Sequence, residues 1–134
     1  MTAGVRQVPS RREKGAAARK LGRRAEVWAA LLLMAKGYRI LGFRLATPLG
    51  EIDLLAQRGK VLAVVEVKQR TTIEDALDAV TPTQRDRLRR AAAHLAAHRH
   101  SLRDLVVRID LIALAPGRVP RHLPNAWLDF GGPA

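Results

Sequence analysis

Two short segments carry side chains that could do chemistry together. Glu51-Ile52-Asp53 opens one apolar stretch, and Glu66-Val67-Lys68 closes the next. Residues two apart on a strand share a face, so Glu51 and Asp53 point one way, as do Glu66 and Lys68. With Arg58-Gly59 as a two-residue turn, Gln57 would face Lys60, Asp53 would face Val64, and Glu51 would face Glu66. All four polar groups would then lie on one side of a sheet, with Asp53 and Glu66 diagonal neighbours within roughly 7–8 Å. A turn longer by one residue would send the two pairs to opposite faces.

Such a face is costly. Two carboxylates about 5 Å apart repel by about 3 kcal/mol at an effective dielectric of about 20. Three acids and one lysine beside the apolar run Val61–Val67 call for a divalent cation or raised carboxyl pKa values. Oxygen ligands alone favour Mg²⁺ or Mn²⁺ over zinc. A metal there would acidify a bound water and polarise a phosphoryl oxygen. A neighbouring lysine would stabilise charge on phosphate or orient the water. These are the parts of phosphodiester hydrolysis. The plain alternative is a surface ion pair, Glu66 with Lys68, on a half-exposed strand.

Other chemistries find less support. There are no cysteines, which excludes disulfides, thiolate metal sites and cysteine nucleophiles. His94 and His98 are four apart on a helix, but the glutamate of His-Glu-x-x-His is absent and His100 falls off helical spacing, so they read as a polar helix face. No glycine-rich phosphate loop or serine–histidine–acid set occurs.

The elements that must position the acids follow from periodicity. Residues 15–36 read as a helix with Leu21, Ala25, Trp28, Leu32 and Ala35 on one apolar stripe, and Gly37 caps it. Strands are expected at Tyr38–Ala46, Glu51–Gln57 and Lys60–Lys68, the last of them central because it is the most apolar. A short helical turn at Ile73–Val80 precedes Thr81-Pro82, an N-cap followed by proline at the first helical position. That second helix should reach about Arg99, burying Leu88, Ala92 and Leu95. Asp104–Leu114 reads as a strand, with Asp110 facing solvent or paired with an arginine, and Trp127 and Phe130 tack down the C-terminal segment. The order α-β-β-β-α-β predicts an α/β fold with a mixed sheet flanked by helices. We expect a basic arm at 1–14, one domain at 15–130 and a tail at 131–134.

The chain of 134 residues carries 24 Lys and Arg against 12 Asp and Glu, a net charge of +12. Hydrophobic residues make up 48%, enough for one small core and too few residues overall for a multi-domain machine. The charge is uneven, because residues 1–24 hold eight basic residues against Glu13 alone. Arg11, Arg12, Lys14, Arg19, Lys20, Arg23 and Arg24 form an arm suited to phosphates, or else a solubilising tail. Arg70, Arg85 and Arg87 extend the expected contact surface, and Arg89 and Arg90 share the second helix with it. A polyanion, nucleic acid before membrane, is the expected partner. No apolar run nears the ~18 residues of a membrane span. The basic N-terminus lacks a secretory apolar stretch, though its Arg- and Ala-rich composition faintly resembles a transit peptide. A cysteine-free chain of this kind fits the cytoplasm.

The motifs resemble those of the YraN-like uncharacterised protein family over about residues 15–130. Gly50–Ala56 followed by Val65–Arg70 carries the strongest likeness. Ala25-Glu26-Val27-Trp28-Ala29 is similar to the family's Gly-Glu-x-x-Ala. Gly37–Leu41, Val80-Thr81-Pro82, Arg87-Leu88, Arg108-Ile109-Asp110 and Asn125-Ala126-Trp127 also fit. The resemblance implies the restriction-endonuclease-like fold of PD-(D/E)XK nucleases, close to archaeal Holliday-junction resolvases. It implies a metal site built from Glu26, Asp53 and Glu66, with Lys68 completing the catalytic set. Two departures stand out: Ala25 replaces a glycine, and Gln84 stands where the family usually has lysine, weakening any phosphate contact there. On this basis the expected activity is Mg²⁺- or Mn²⁺-dependent cleavage of structured or branched DNA. A homodimer is implied by analogy, with no interface signature in the sequence. A non-catalytic nucleic-acid-binding module is the alternative, and a structural partner of a ribosomal or repair complex is a third reading.

Overall fold

The computed structural model describes residues 24–127. A helix, α1, occupies 24–35 and stops at Gly37, whose φ of 89° suits a residue without a Cβ. The Tyr38 N–H donates to the Leu33 carbonyl at 2.9 Å and the Gly37 N–H to Met34 at 3.0 Å, the double bond of a Schellman cap. Strands β1 (Arg39–Thr47), β2 (Gly50–Arg58) and β3 (Val61–Gln69) follow. Helices α2 (Ile73–Asp78) and α3 (Pro82–His98) and a 3₁₀ turn at His100–Leu102 lead to β4 (Val106–Leu114) and β5 (Arg121–Leu123). Thr81 and Gln84 form a reciprocal capping box at the start of α3, with Pro82 just inside it, as the Thr-Pro signal predicts.

The five strands lie in the order β1-β2-β3-β4-β5. The β3–β4 pair is parallel and the others are antiparallel. A parallel neighbour needs a crossover, which α2 and α3 supply. Core residues alternate between two layers. Leu55, Leu62, Val64 and Ile109 pack against Leu88, Ala92 and Leu95 of α3. Leu54, Ala56, Ala63, Val65 and Ile112 pack against Ala29, Ala30 and Leu33 of α1. Leu62 to Val65 are all fully buried because β3 is covered on both faces, hence its unbroken apolar run. The architecture is the restriction-endonuclease-like one, a mixed sheet between helices, with β5 added at the far edge. Among the described residues no helix is long and apolar enough to cross a membrane.

Two expectations need correction. The apolar stripe on α1 is rotated: Trp28 is 59% exposed, and Val27, Leu31 and Met34 are more than half exposed. The helix is apolar on nearly every face, so spacing alone could not choose the buried one. The buried face is the one that carries Ala25, Ala29, Ala30 and Leu33. The hairpin turn is Gly59-Lys60 rather than Arg58-Gly59, since Arg58 pairs with Val61 and Gly59 takes the left-handed φ of 58°. Leu21 and Phe130 lie outside the described residues.

Candidate active site at the parting of two strands

The corrected turn shifts the β2–β3 register by two residues and so preserves which groups share a face. The ladder runs from Arg58↔Val61 to Leu54↔Val65. One step further along the same register, Asp53 stands directly opposite Glu66 rather than diagonal to it. The main-chain ladder ends there. The Val67 N–H, freed from a carbonyl partner, instead donates to the Asp53 carboxylate Oδ2 at 3.0 Å. A side chain thus takes over a bond that the backbone would have made, and the two strands part.

The irregularity reaches β1. Arg44, between the pairs Phe43↔Leu54 and Leu45↔Ile52, has φ 47°, a strained value for a residue with a Cβ. Leu54 packs in the α1 layer, while Leu45 and Ile52, next along, pack in the α3 layer. The alternation therefore slips at Arg44 and Asp53 together without a change of register, the register shift of this strand pair lying between Ile40 and Gly42.

Glu66 and Lys68 lie on the α3 side, with Lys68 Nζ 3.2 Å from Glu66 Oε1 and the Glu66 side chain 14% exposed. Burial pushes the Glu66 carboxyl up from 4.5 to about 7, and the facing Asp53 charge adds to the rise, against an opposing pull from Lys68. A small cavity of about 140 Å³ opens over Glu66, bounded by Gly50, Glu51, Gln84, Arg87 and Leu88. Gly50 sits at φ 135°, and a Cβ there would lie 3.1 Å from Arg87 Cδ. The glycine lets the Arg87 stem cross close above the hairpin mouth. Gln84 faces the same cavity, but its carbonyl oxygen is held by the Thr81 N–H at 2.9 Å.

Three of the four expected catalytic residues therefore come together: Asp53, Glu66 and Lys68. Glu26 does not join them. It lies on α1, whose core contacts are on the opposite face of the sheet, and its carboxylate meets Arg44 Nε at 2.9–3.0 Å. Among the described residues no group of three or more His, Cys, Asp or Glu converges to hold a metal. Two carboxylates do meet. Mg²⁺ and Mn²⁺ need no closed protein cage, since Mg²⁺ commonly takes one or two carboxylates and completes its shell with water and substrate phosphate. The donor set, oxygen alone, suits such a hard cation better than zinc, whose sites draw mostly on Cys and His.

The expected phosphate contacts divide. Arg11, Arg12, Lys14, Arg19, Lys20 and Arg23 lie outside the described residues, and Arg24 is exposed at the start of α1. Arg87 borders the Glu66 cavity and Arg70 borders a different one. Arg85 is tied inward, donating to the Val80 carbonyl at 3.2 Å and lying 5.7 Å from the centre of the Trp127 ring. Arg90 pairs with Asp86 at 3.2 Å. His94 and His98 stack with ring centres 4.1 Å apart, and His98 bonds the His94 carbonyl, a polar helix face as expected.

One polar network was expected only in part, as Asp110 facing solvent or paired with an arginine; the arginine pairing holds, and the rest was not foreseen. Asp110 is fully buried and accepts from Arg108 at 2.7 Å on each oxygen, from His122 at 2.8 Å and from the Asn125 N–H at 2.9 Å. Arg108 also reaches the Tyr38 hydroxyl at 2.6 Å, and Lys36 contacts the other His122 nitrogen. The network ties β5 and the chain after it to β4 and to the end of α1. An aspartate inside the apolar run Val106–Leu114 was the available signal, because a buried carboxylate must find donors. Its distant partner His122 carried none.

Comparison with known proteins extends over the same core. A model of the uncharacterised protein family UPF0102 matches residues 25–114. A UPF0102 protein of Caulobacter vibrioides is 83% identical over 127 residues, covering 95% of this chain and 98% of that protein. One from Parvibaculum lavamentivorans is 52% identical, covering 84% and 85%. Another, from Paramagnetospirillum magneticum, is 46% identical, covering 89% and 94%.

Proposed function

Because the chain belongs to the uncharacterised protein family UPF0102, and that family's motifs on this fold fall at the parted strands, we propose that it is a metal-dependent nuclease cutting structured or branched DNA. The observation that supports this most is the face-to-face pair Asp53 and Glu66, with Lys68 on the same face, where the ladder gives out. Carboxylates raised by burial and by a facing like charge gather at functional sites more than elsewhere. Asp53 and Glu66 would hold Mg²⁺ or Mn²⁺. Such a cation, when bound, supplies charge neutralisation at the phosphate and a more acidic water. Val67 fixes Asp53 through its N–H, and Lys68 fixes Glu66 while keeping its ammonium beside the place a phosphoryl oxygen would take. Arg87 at the cavity rim would hold the adjoining backbone. Cutting both strands of a junction pairs two copies of the chain.

The test is cleavage of junction, flap and single-stranded substrates with Mg²⁺ or Mn²⁺, comparing wild type with Asp53→Asn and Lys68→Ala. Loss of one charged group at such a site costs about 10²–10³ in rate. Equal activity in all three proteins would refute the assignment. A second reading, a nucleic-acid-binding module on a nuclease fold, draws on Glu26 being held by Arg44 away from the pair. It predicts salt-sensitive DNA binding that survives Asp53→Asn, with no turnover in the wild type.

A further inference from the structure

A second cavity bordered by described residues lies away from Glu66. It has a volume of about 370 Å³ and opens at the C-terminal ends of β3 and β4, between α2 and the loop leading to β5. Arg70, Arg118 and Arg121 line it, with Thr71 and Thr72, and Glu74 is its one acid. All three arginines are exposed at this lip, and none forms an ion pair among the described residues.

Local structure gathers them. The Arg70 N–H donates to the Leu114 carbonyl at 3.0 Å, which carries the β3–β4 pairing one residue past the strand end and fixes the Arg70 backbone beside β4. The chain then turns at Pro116-Gly117, with Gly117 at φ 71° and the Arg118 N–H bonded to the Ala115 carbonyl at 3.1 Å. That turn brings Arg118 back over the strand ends. Arg121 opens β5 and pairs with Ala113.

We propose that this cavity is a phosphate subsite that grips the nucleic-acid backbone beside the Asp53–Glu66–Lys68 spot; the inference rests on the nuclease reading above. Lys68 pairs with Ala113, and Ala113 pairs with Arg121. Laterally paired residues share a sheet face, so Lys68 and Arg121 lie in one row, two strand spacings or about 10 Å apart at their Cα atoms. That span is about three nucleotide steps at 3.4 Å of axial rise. Ala113, midway along that row, is buried against Ala76 of α2, so the backbone would run round the start of α2, past Thr71 and Thr72 at the cavity mouth. A strand whose scissile phosphate meets Lys68 would then bring a phosphate a few steps further on to the arginines. Guanidinium forks suit phosphate oxygens in pairs. The Thr72 hydroxyl oxygen already accepts the Asp75 N–H, leaving its own proton to donate.

The test measures DNA binding by fluorescence anisotropy with the full chain in EDTA, over a salt series, using a labelled junction. Arg118→Ala/Arg121→Ala should bind several-fold more weakly, with a log–log salt slope smaller by about one, because one phosphate fewer is neutralised. Arg99→Ala/Arg103→Ala, at the other end of β4, removes equal charge and should bind nearly as wild type. Equal weakening in both double variants would reduce the effect to bulk charge and overturn the subsite. Unchanged binding in the cavity variant would overturn it too, and would leave the Asp53-dependent cleavage test untouched. Calorimetric titration with inorganic phosphate separates the sources: saturable uptake at micromolar phosphate, abolished in the cavity variant, with DNA affinity unmoved, would assign the cavity to free phosphate and overturn the backbone grip.

Discussion

Replacing Glu66 with glutamine should stabilise the metal-free protein at alkaline pH. The Glu66 carboxyl faces Asp53 with 14% of its side chain exposed, and burial first, then the Asp53 charge, raise it from 4.5 to about 7. A carboxyl raised in the folded state makes ionisation work against folding. The penalty is absent below the unfolded value near 4.5, grows between there and 7, and is complete above. At about 1.36 kcal/mol per pH unit, that rise corresponds to about 3 kcal/mol. Glu66→Gln keeps an oxygen for Lys68 and offers an amide proton to Asp53, so it removes the charge with little loss of shape. For a domain of this size the gain is about 10 °C in melting temperature. Melts followed by circular dichroism in EDTA should show that gap at about pH 8 and near-coincident curves at about pH 4.5. Mn²⁺ at about 100 times its dissociation constant should then raise wild type by about 2.7 kcal/mol and leave Glu66→Gln unmoved. A variant less stable than wild type at alkaline pH, or a gap that ignores pH, would refute the reasoning.

Two further outcomes follow from the surroundings. Asp110→Asn should cost about 3–5 kcal/mol at neutral pH, because it breaks a buried pair and strands Arg108. Burial alone would raise the Asp110 carboxyl, but bonds from His122, Arg108 and the Asn125 N–H hold it below its ordinary 3.8. Its stabilisation is therefore present above 3.8 and lost as pH falls through the lowered value, so urea titrations of wild type and variant should converge only at strongly acid pH. Gly50→Ala should cost about 1–3 kcal/mol for a backbone held at positive φ and push Arg87 off the cavity rim. Unaltered stability and DNA affinity in that variant would count against Arg87 as a backbone contact.

The sequence made some of this legible and hid the rest for physical reasons. Alternation marked β2, and the unbroken apolar run marked β3 and identified it as central, because burial on both faces leaves that trace. The Thr-Pro and Gly37 signals marked helix ends, since each answers a local backbone need. The face of α1 was not legible: a helix apolar almost all round gives no phase. The hairpin register came out two residues off, because Gly59 fits either a first or a second turn position on paper. The shared face of Asp53, Glu66 and Lys68 survived because an even shift preserves it, while beyond Asp53 the alternation slips and Ile52 joins the α3 layer. Arg108 with Asp110 was half visible, and His122 was not, as nothing local ties it to β4. Glu26 entered by resemblance alone, and its salt bridge to Arg44 depends on a left-handed residue in β1 that no spacing rule predicts.

The geometry at Asp53 explains how a flat sheet comes to carry a site. A fully paired ladder would put the Asp53 and Glu66 side chains on a flat face with their backbones bonded. Here β2 gives up a main-chain bond, and Asp53 Oδ2 takes the Val67 N–H instead. The bond count is kept while the strands part, so the opening costs little in unsatisfied backbone. The same bond orients the carboxylate. Lys68 does likewise for Glu66 through Oε1. Val67 thus holds Asp53 Oδ2 and Lys68 holds Glu66 Oε1, while a hydrogen bond also links the two carboxyl groups. Two oriented acids side by side are what an open site for a hard cation requires. Their mutual repulsion is the stability such a site gives up while it waits for one.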